Sequence, residues 1–264
     1  MSNLASRSFT DSLRILFAKG IRYSTVIDVG CADGYFFLYH FANGLLPGAV
    51  PLNIDANTLY ENSLRAIQQV TGGHYRICAI TDHVGTVEIT QSVHPYWASL
   101  RPENDAYWER VNKLSGTKSV IRATTLDTLK KELKLRPPFL LKLDVQGSEE
   151  SSLRGASELL EDTSVLICEA DIDDFNNIND LLEEKDFIIF DITNLNYASD
   201  ATLGWFYPVY IKRSLSSVRP RAFWSAADND RVIQQQIKRR ESILRFNAEL
   251  LARIQTFVGQ KLSR

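Results

Sequence analysis

The stretch VIDVGCADGYF places Asp28 two residues ahead of a turn bounded by Gly30 and Gly34, with Cys31, Ala32 and Asp33 between the glycines. An apolar run precedes the turn, and an aromatic, helix-like segment follows it. In an open α/β sheet, ligands bind beyond the carboxyl ends of the strands, where the strand order reverses. Glycines at that place let backbone come close to a ligand. A dinucleotide fingerprint needs a glycine at its middle position to admit a pyrophosphate, and here that position is Ala32 in a G-x-x-x-G spacing. Asp28 points the same way, because a carboxylate repels a diphosphate and suits a cation. More carboxylates follow at the ends of later apolar runs: Asp55, Asp82, Asp144 and Glu169.

These groups must be positioned by the elements around them. Short apolar runs occur at Thr25–Val29, Ala49–Ile54, Tyr75–Ile80, Phe139–Leu143, Val165–Cys168, Phe187–Ile192 and Phe206–Ile211. Segments of helical apolar spacing separate most of them, such as Leu59, Leu64, Ile67 and Val70, or Leu153, Ala156, Leu159 and Leu160. The alternation predicts an α/β fold, a seven-stranded, mostly parallel sheet with helices on both faces. Thr86–Thr90 and Ser119–Thr124 read as two extra strands bracketing an aromatic loop, HPYWASLRPENDAYWERVNKLSG.

Composition sets the outer bounds. The chain has 264 residues, of which 44% are hydrophobic and 23% charged, and a net charge of −2 that gives no overall pull toward nucleic acid. Cys31, Cys78 and Cys168 lie far apart in or beside apolar runs, a pattern of buried thiols rather than of a zinc site or disulfide framework. No apolar run is long enough to span a bilayer, so a cytoplasmic protein is expected. From Ser214 onward there are ten Lys or Arg against four Asp or Glu. The expected division is an N-terminal helical segment (1–22), a main domain (23–213) and a basic helical extension (214–264).

The segment TTLDTLKKELKLRPPFLLKLDVQGSEESSLRGASELL, with Thr125-Leu126-Asp127 and then Lys142-Leu143-Asp144-Val145-Gln146-Gly147-Ser148-Glu149, resembles the FkbM-type methyltransferases. The likeness extends over about Tyr23 to Arg213 and includes AITDHVGTVEIT. Gln146 departs from it, since the family more often has Glu there. The D-x-G-x-x-x-G turn is likewise similar to the first motif of class I methyltransferases, whose donor, S-adenosylmethionine, carries a sulfonium and an ammonium group. The resemblance implies a Rossmann-like class I fold, S-adenosylmethionine as cofactor, and O-methylation of a hydroxyl on a sugar or secondary metabolite. It implies a donor site at Asp28, Gly30, Ala32, Asp33 and Gly34, with Asp55 taking both ribose hydroxyls and Asp82 near the adenine amine beside Ala79.

For the chemistry, Asp144 ends the fourth run, which in this fold lies next to the reactive methyl, and is expected to orient the acceptor or take its proton. Its alternative is a helix N-cap. His94, within the aromatic loop, is the second candidate base. Tyr96, Trp97, Tyr107 and Trp108 can stack on a sugar face or simply pack the loop onto the sheet. Glu169, Asp171, Asp173 and Asp174 offer oxygen ligands for Mg²⁺, but solvated acids before a helix are the favoured reading, and no metal is assigned. The basic tail has a seam of Ile233, Ile237, Leu244, Leu251, Ile254 and Val258 suited to a homo-oligomer, to an anionic membrane surface or to its own domain. The expected partner is a small-molecule or glycan acceptor, with no nucleic acid and no integral membrane segment. Two other readings stand beside this one: a nicotinamide-dependent oxidoreductase, and a non-catalytic methyltransferase-like scaffold.

Overall fold

The computed structural model describes residues 7–91, 98–99, 117–197 and 200–219, together with 233–235, 237–243, 245–246 and 249 of the C-terminal segment. Contacts divide the chain into two units, Met1–Val218 and Arg219–Arg264. Apart from Arg219, the described residues of the second unit are helical, and Ile233 and Ile237 there are exposed.

Helix α1 (Phe9–Ala18) begins with a capping box in which Ser8 and Asp11 satisfy each other's backbone N–H groups. It lies within residues 1–22, and its Leu13 and Leu16 are buried in the core of the main unit. Strand β1 (Thr25–Val29) leads through the glycine turn to α2 (Tyr35–Ala42), then β2 (Val50–Asp55), α3 (Glu61–Thr71) and β3 (His74–Ile77). The expected run Tyr75–Ile80 breaks at Cys78, because β2 ends at Asp55 and leaves no further neighbour on that side. The last two residues become β4 (Ala79–Ile80), which pairs instead with β7 (Thr117–Thr124). The two extra strands expected from the sequence are β7 and β5 (Gly85–Gln91), which pair antiparallel, with β6 (Ala98–Ser99) on the far side of β5.

After β7 come α4 (Leu126–Glu132), β8 (Phe139–Leu143), α5 (Glu149–Arg154), α6 (Ser157–Glu161), β9 (Thr163–Cys168), β10 (Ala170–Asp171), α7 (Phe175–Glu184), β11 (Phe187–Tyr197) and β12 (Leu203–Lys212). The single helix expected around Leu153–Leu160 is two, broken at Gly155, where a Cβ would overlap the carbonyl oxygen of Thr81. Asp127 caps the second piece, its carboxylate accepting the backbone N–H groups of Glu158 (3.0 Å) and Leu159 (2.7 Å). The T-L-D segment is thus accounted for by local structure: Thr125 caps α4 and Asp127 caps α6.

The main sheet runs β10–β12–β9–β8–β1–β2–β3, with β11 on the outer side of β12. Strands β1, β2, β3, β8 and β9 are parallel, and β12 is antiparallel to β9. Both β9 and β10 lie along β12 on either side of Glu169, so the layout is the seven-stranded one expected. By the register of β12 the interruption at Glu169 faces Tyr207. Alternation along the strands fills two cores. Ile27, Val29, Leu141 and Leu143 pack with α4 to α7, whereas Val26, Leu140, Ile167 and Val209 pack with α1 and α2.

The order of the sheet reverses between β1 and β8, and their ends meet closely. Asp144 N–H donates to the Val29 carbonyl (3.0 Å), and Gly30 and Cys31 donate to the Ile54 carbonyl (2.9 and 3.1 Å). Gly30 has φ +72°, and a Cβ on it would overlap the carbonyl oxygen of Asp144. Replacing Gly30 with Ala therefore meets both a left-handed backbone and a backbone clash. It is expected to lower unfolding stability by about 2–4 kcal/mol, read as a shift of the denaturation midpoint; an unchanged midpoint would show that the two turns need not touch.

Candidate active site

The carboxyl ends of β1, β2, β8 and β9 open into a cleft of about 1310 Å³. Asp28, Gly30, Ala32, Asp33, Asp55, Ala79 and Asp144 line it, so seven residues singled out in separate parts of the sequence are brought together. Gly34 and Asp82 are not among the lining residues. Gly34 (φ +81°) starts α2 with its bare face against Ile67 of α3. The Asp82 carboxylate pairs with His83 Nδ1 at 2.7 Å on the surface, and that hydrogen bond holds it below the usual carboxylate range. His94 and the loop aromatics Tyr96, Trp97, Tyr107 and Trp108 lie outside the described residues.

Asp55 organises the glycine turn. Its two oxygens accept the backbone N–H groups of Ala32 and Asn57, each at 2.8 Å, and Ala32 is held at φ +47°. Burial raises the Asp55 pKa against the pull of those two donors. Cys31 is buried in a small core with Tyr60, Leu64 and Ile67, and burial raises its thiol pKa far above the ordinary value.

Lys142 is the centre of the floor. Strand register places it beside Asp28, and the two-residue period of β8 turns it to the same face as Asp144. Its Nζ stands 3.1 Å from Asp144 Oδ2 and 3.4 Å from Asp28 Oδ1, with 7% of the side chain exposed. Burial works against the ammonium charge, but Asp144 and Asp28 outweigh it and raise the Lys142 pKa. Asp28 is fully buried, and among the described residues neither of its oxygens takes a hydrogen bond. Burial pushes its pKa up to about 6 despite the attraction of Lys142.

Asp144 is the best-satisfied acid of the site. It accepts from Lys142 Nζ, from Gln146 Nε2 (3.2 Å) and from the Tyr207 hydroxyl (3.0 Å). Burial would raise its pKa, but the Lys142 charge and these donors together bring it below the ordinary value. Glu169 meets the same amide and phenol, Gln146 Nε2 at 2.8 Å and Tyr207 at 3.2 Å. Among the described residues it forms no ion pair, and burial followed by the Asp144 and Glu149 charges raises its pKa well above the carboxylate range. Glu149 accepts from Val145 and Gly147 backbone (2.9 and 2.8 Å), and burial pushes its pKa up to about 7.

Sequence reasoning missed Tyr207, Gln146 and Lys142 as members of the site. Lys142 had a signal, its period-two relation to Asp144. Tyr207 had none, because only the antiparallel return of β12 sets it against β9. His40, on α2, also lines the cleft. Its Nδ1 donates to the Phe36 carbonyl (2.7 Å), so Nε2 accepts from the Thr10 hydroxyl (2.9 Å). Burial lowers its pKa, which keeps the ring neutral and structural. Asp171, among the acids considered for Mg²⁺, closes a turn by accepting from Asp173 and Asp174 backbone (3.1 and 2.9 Å).

Removing the buried cation should expose its role. Lys142→Met leaves Asp28 and Asp144 facing each other unpaired, expected to cost about 3–5 kcal/mol of stability at neutral pH. Both acids then have folded-state pKa values above their unfolded ones, so the folded state binds more protons. Stability of the variant must rise as pH falls through 6 toward 4. Urea titrations across that window check this, and a deficit independent of pH would overturn it.

The family model described as the methyltransferase FkbM domain matches residues 28–189, well over half of the chain. No curated protein matches the sequence. Solved structures similar to the chain include the methyltransferase FkbM of Methylobacillus flagellatus KT, at 16% identity and TM-score 0.47, covering 78% of this chain and 48% of that one. The chain thus spans about half the length of that protein. Another is M. capricolum TrmK in complex with S-adenosylhomocysteine, at 10% identity and TM-score 0.41, covering 83% and 72%. A third is an O-methyltransferase from Bacillus cereus in complex with S-adenosylhomocysteine, at 12% identity and TM-score 0.42, covering 77% and 80%. With its cleft at the reversal of a mostly parallel sheet, and with the family's domain matched from Asp28 onward, the chain belongs to the FkbM methyltransferases.

Proposed function

We propose that the chain transfers a methyl group from S-adenosylmethionine to a hydroxyl of a sugar, glycan or secondary metabolite. Membership of the FkbM methyltransferases makes S-adenosylmethionine the donor. When bound, it supplies a methyl group activated on a sulfonium. The residues present suit it: Asp28 brings a buried carboxylate with no hydrogen-bond partner, and Asp55 stands at the end of the neighbouring strand. Asp28, Gly30, Ala32, Asp33, Asp55 and Ala79 are the residues that would hold it. Asp82 is left out, being paired with His83 outside the lining.

The observation that carries the hydroxyl assignment is Asp144, held ionised by Lys142 at the end of β8. Its Oδ2 takes two hydrogen bonds and its Oδ1 only one. A carboxylate oxygen accepts about two, so Oδ1 retains a place for the O–H of an acceptor. Alignment of donor and acceptor then supplies much of the rate, and Asp144 both orients the hydroxyl and draws on its proton. His94 is part of the proposal as a second group from the aromatic loop. Self-association through the C-terminal helix and a cytoplasmic location complete it. Among the described residues no helix is long and apolar enough to cross a membrane.

S-Adenosylhomocysteine at 100 times its Kd is expected to add about 2.7 kcal/mol of stability, with no effect from NAD in a parallel melt. Asp144→Asn should lower kcat by about 10²-fold or more while S-adenosylhomocysteine affinity stays within a few-fold. Transfer from labelled donor into a fractionated extract identifies the acceptor. Label found only in protein or nucleic acid would overturn the hydroxyl-metabolite reading. Donor binding without any transfer would favour the scaffold.

A further inference from the structure

Two bridges join Asp144 to Glu169, and their hydrogens can be counted. The Gln146 amide spans Asp144 Oδ1 and Glu169 Oε2, and its two hydrogens serve one oxygen each. The Tyr207 hydroxyl spans Asp144 Oδ2 (3.0 Å) and Glu169 Oε1 (3.2 Å), but a phenol has a single hydrogen. With both acids ionised, one of these two oxygen–oxygen contacts would have no hydrogen in it and would set a lone pair against a lone pair. The missing hydrogen has one economical source, a carboxyl of the pair. Lys142 contacts Asp144 and not Glu169 directly, so the carboxyl that keeps its proton is Glu169.

We propose that Tyr207 and Gln146 are positioning residues that make Asp144 and Glu169 one proton-sharing pair, Glu169 holding the proton and Asp144 remaining the anion that meets the acceptor. The chain of hydrogens then runs from Glu169 O–H to the Tyr207 oxygen, and from Tyr207 O–H to Asp144. Every short contact contains one hydrogen. Gln146 gains a reason for standing where the family more often has Glu: a third carboxylate would bring no hydrogens to the bridge, whereas an amide brings two. The charged and titratable groups around the pair agree. Lys142 and Asp28 lie on the Asp144 side, Glu149 adds negative charge near Glu169, and Tyr207 is raised by burial and by both acids and so stays protonated.

The consequence for methyl transfer rests on the function proposed above; the location of the proton does not. In the transfer the acceptor oxygen exchanges its proton for the methyl carbon, and the bonding pair stays with the donor sulfur as a neutral thioether. The proton departs toward the Asp144 anion. Glu169, already protonated, keeps the floor of the cleft at one negative charge on the pair rather than two.

Carbon-13 NMR of protein labelled at glutamate carboxyls, titrated without any ligand, reads the proton directly. Glu169→Gln identifies the resonance, or Glu169→Asp should that variant fail to fold. The Glu169 signal is expected to remain that of a carboxylic acid at pH 7 and to titrate above it. A titration near the ordinary value of about 4.3 would overturn the proposal. Tyr207→Phe removes the oxygen that accepts the Glu169 hydrogen, so the same signal should titrate at lower pH; an unmoved titration would overturn the bridging role. In kinetics, wild-type kcat should fall at alkaline pH as Glu169 ionises; that fall should be absent in Glu169→Gln and lie at lower pH in Tyr207→Phe. A wild-type titration as expected together with absent methyl transfer would leave the pair standing and remove only the proposed function.

Discussion

A single buried ammonium, Lys142, holds the site together. It is nearly enclosed, and it is tolerable there only because Asp28 and Asp144 sit at 3.4 and 3.1 Å. The same arrangement gives the two acids different characters. Asp144 gathers the cation, an amide and a phenol, and ionises easily. Asp28 has the cation at longer range and no hydrogen bond, and burial dominates. One carboxylate is thereby held as an anion, and the other is left without a donor to satisfy it.

The backbone around Lys142 follows from that placement. The β1 and β8 turns must approach closely enough for Asp28 and Asp144 to share one cation, and Gly30 permits it by lacking the atom that would strike the Asp144 carbonyl. Asp55 then pins the turn through Ala32, so the acidic residue on the neighbouring strand is structural before any ligand arrives. This differs from the usual reason for a glycine in such a turn. The bare position at Gly30 admits protein backbone, not a phosphate, which is consistent with the mismatch between G-x-x-x-G and a dinucleotide fingerprint.

Much of this was legible before any coordinates. Short apolar runs alternating with segments of helical spacing read as strands buried on both faces, which gives a parallel sheet with its ligand site at the carboxyl ends. That logic reaches Asp28, Asp55 and Asp144 as acids at strand ends, and all three line the cleft. It failed where two local patterns had equal claims. Leu153–Leu160 reads as one helix because Gly155 lowers helix propensity only modestly; the break comes from the Thr81 carbonyl passing against it. Asp82 follows a strand like the other acids, yet its neighbour in sequence, His83, takes its carboxylate at the surface.

By itself the sequence determined the class of fold, the family to which the chain belongs and the acids that end its strands, because these depend on periodicity and on spacing along one segment. Only the tertiary structure decided which acids act as a pair. Glu169 and Tyr207 lie on β9–β10 and its antiparallel neighbour β12, 38 positions apart, and Gln146 reaches them from the turn after β8. Their meeting depends on the return direction of β12 and on side chains facing the same way across adjacent strands. No local pattern encodes such a meeting, and the number of hydrogens available at that junction, which assigns the proton to Glu169, exists only once the strands have come together.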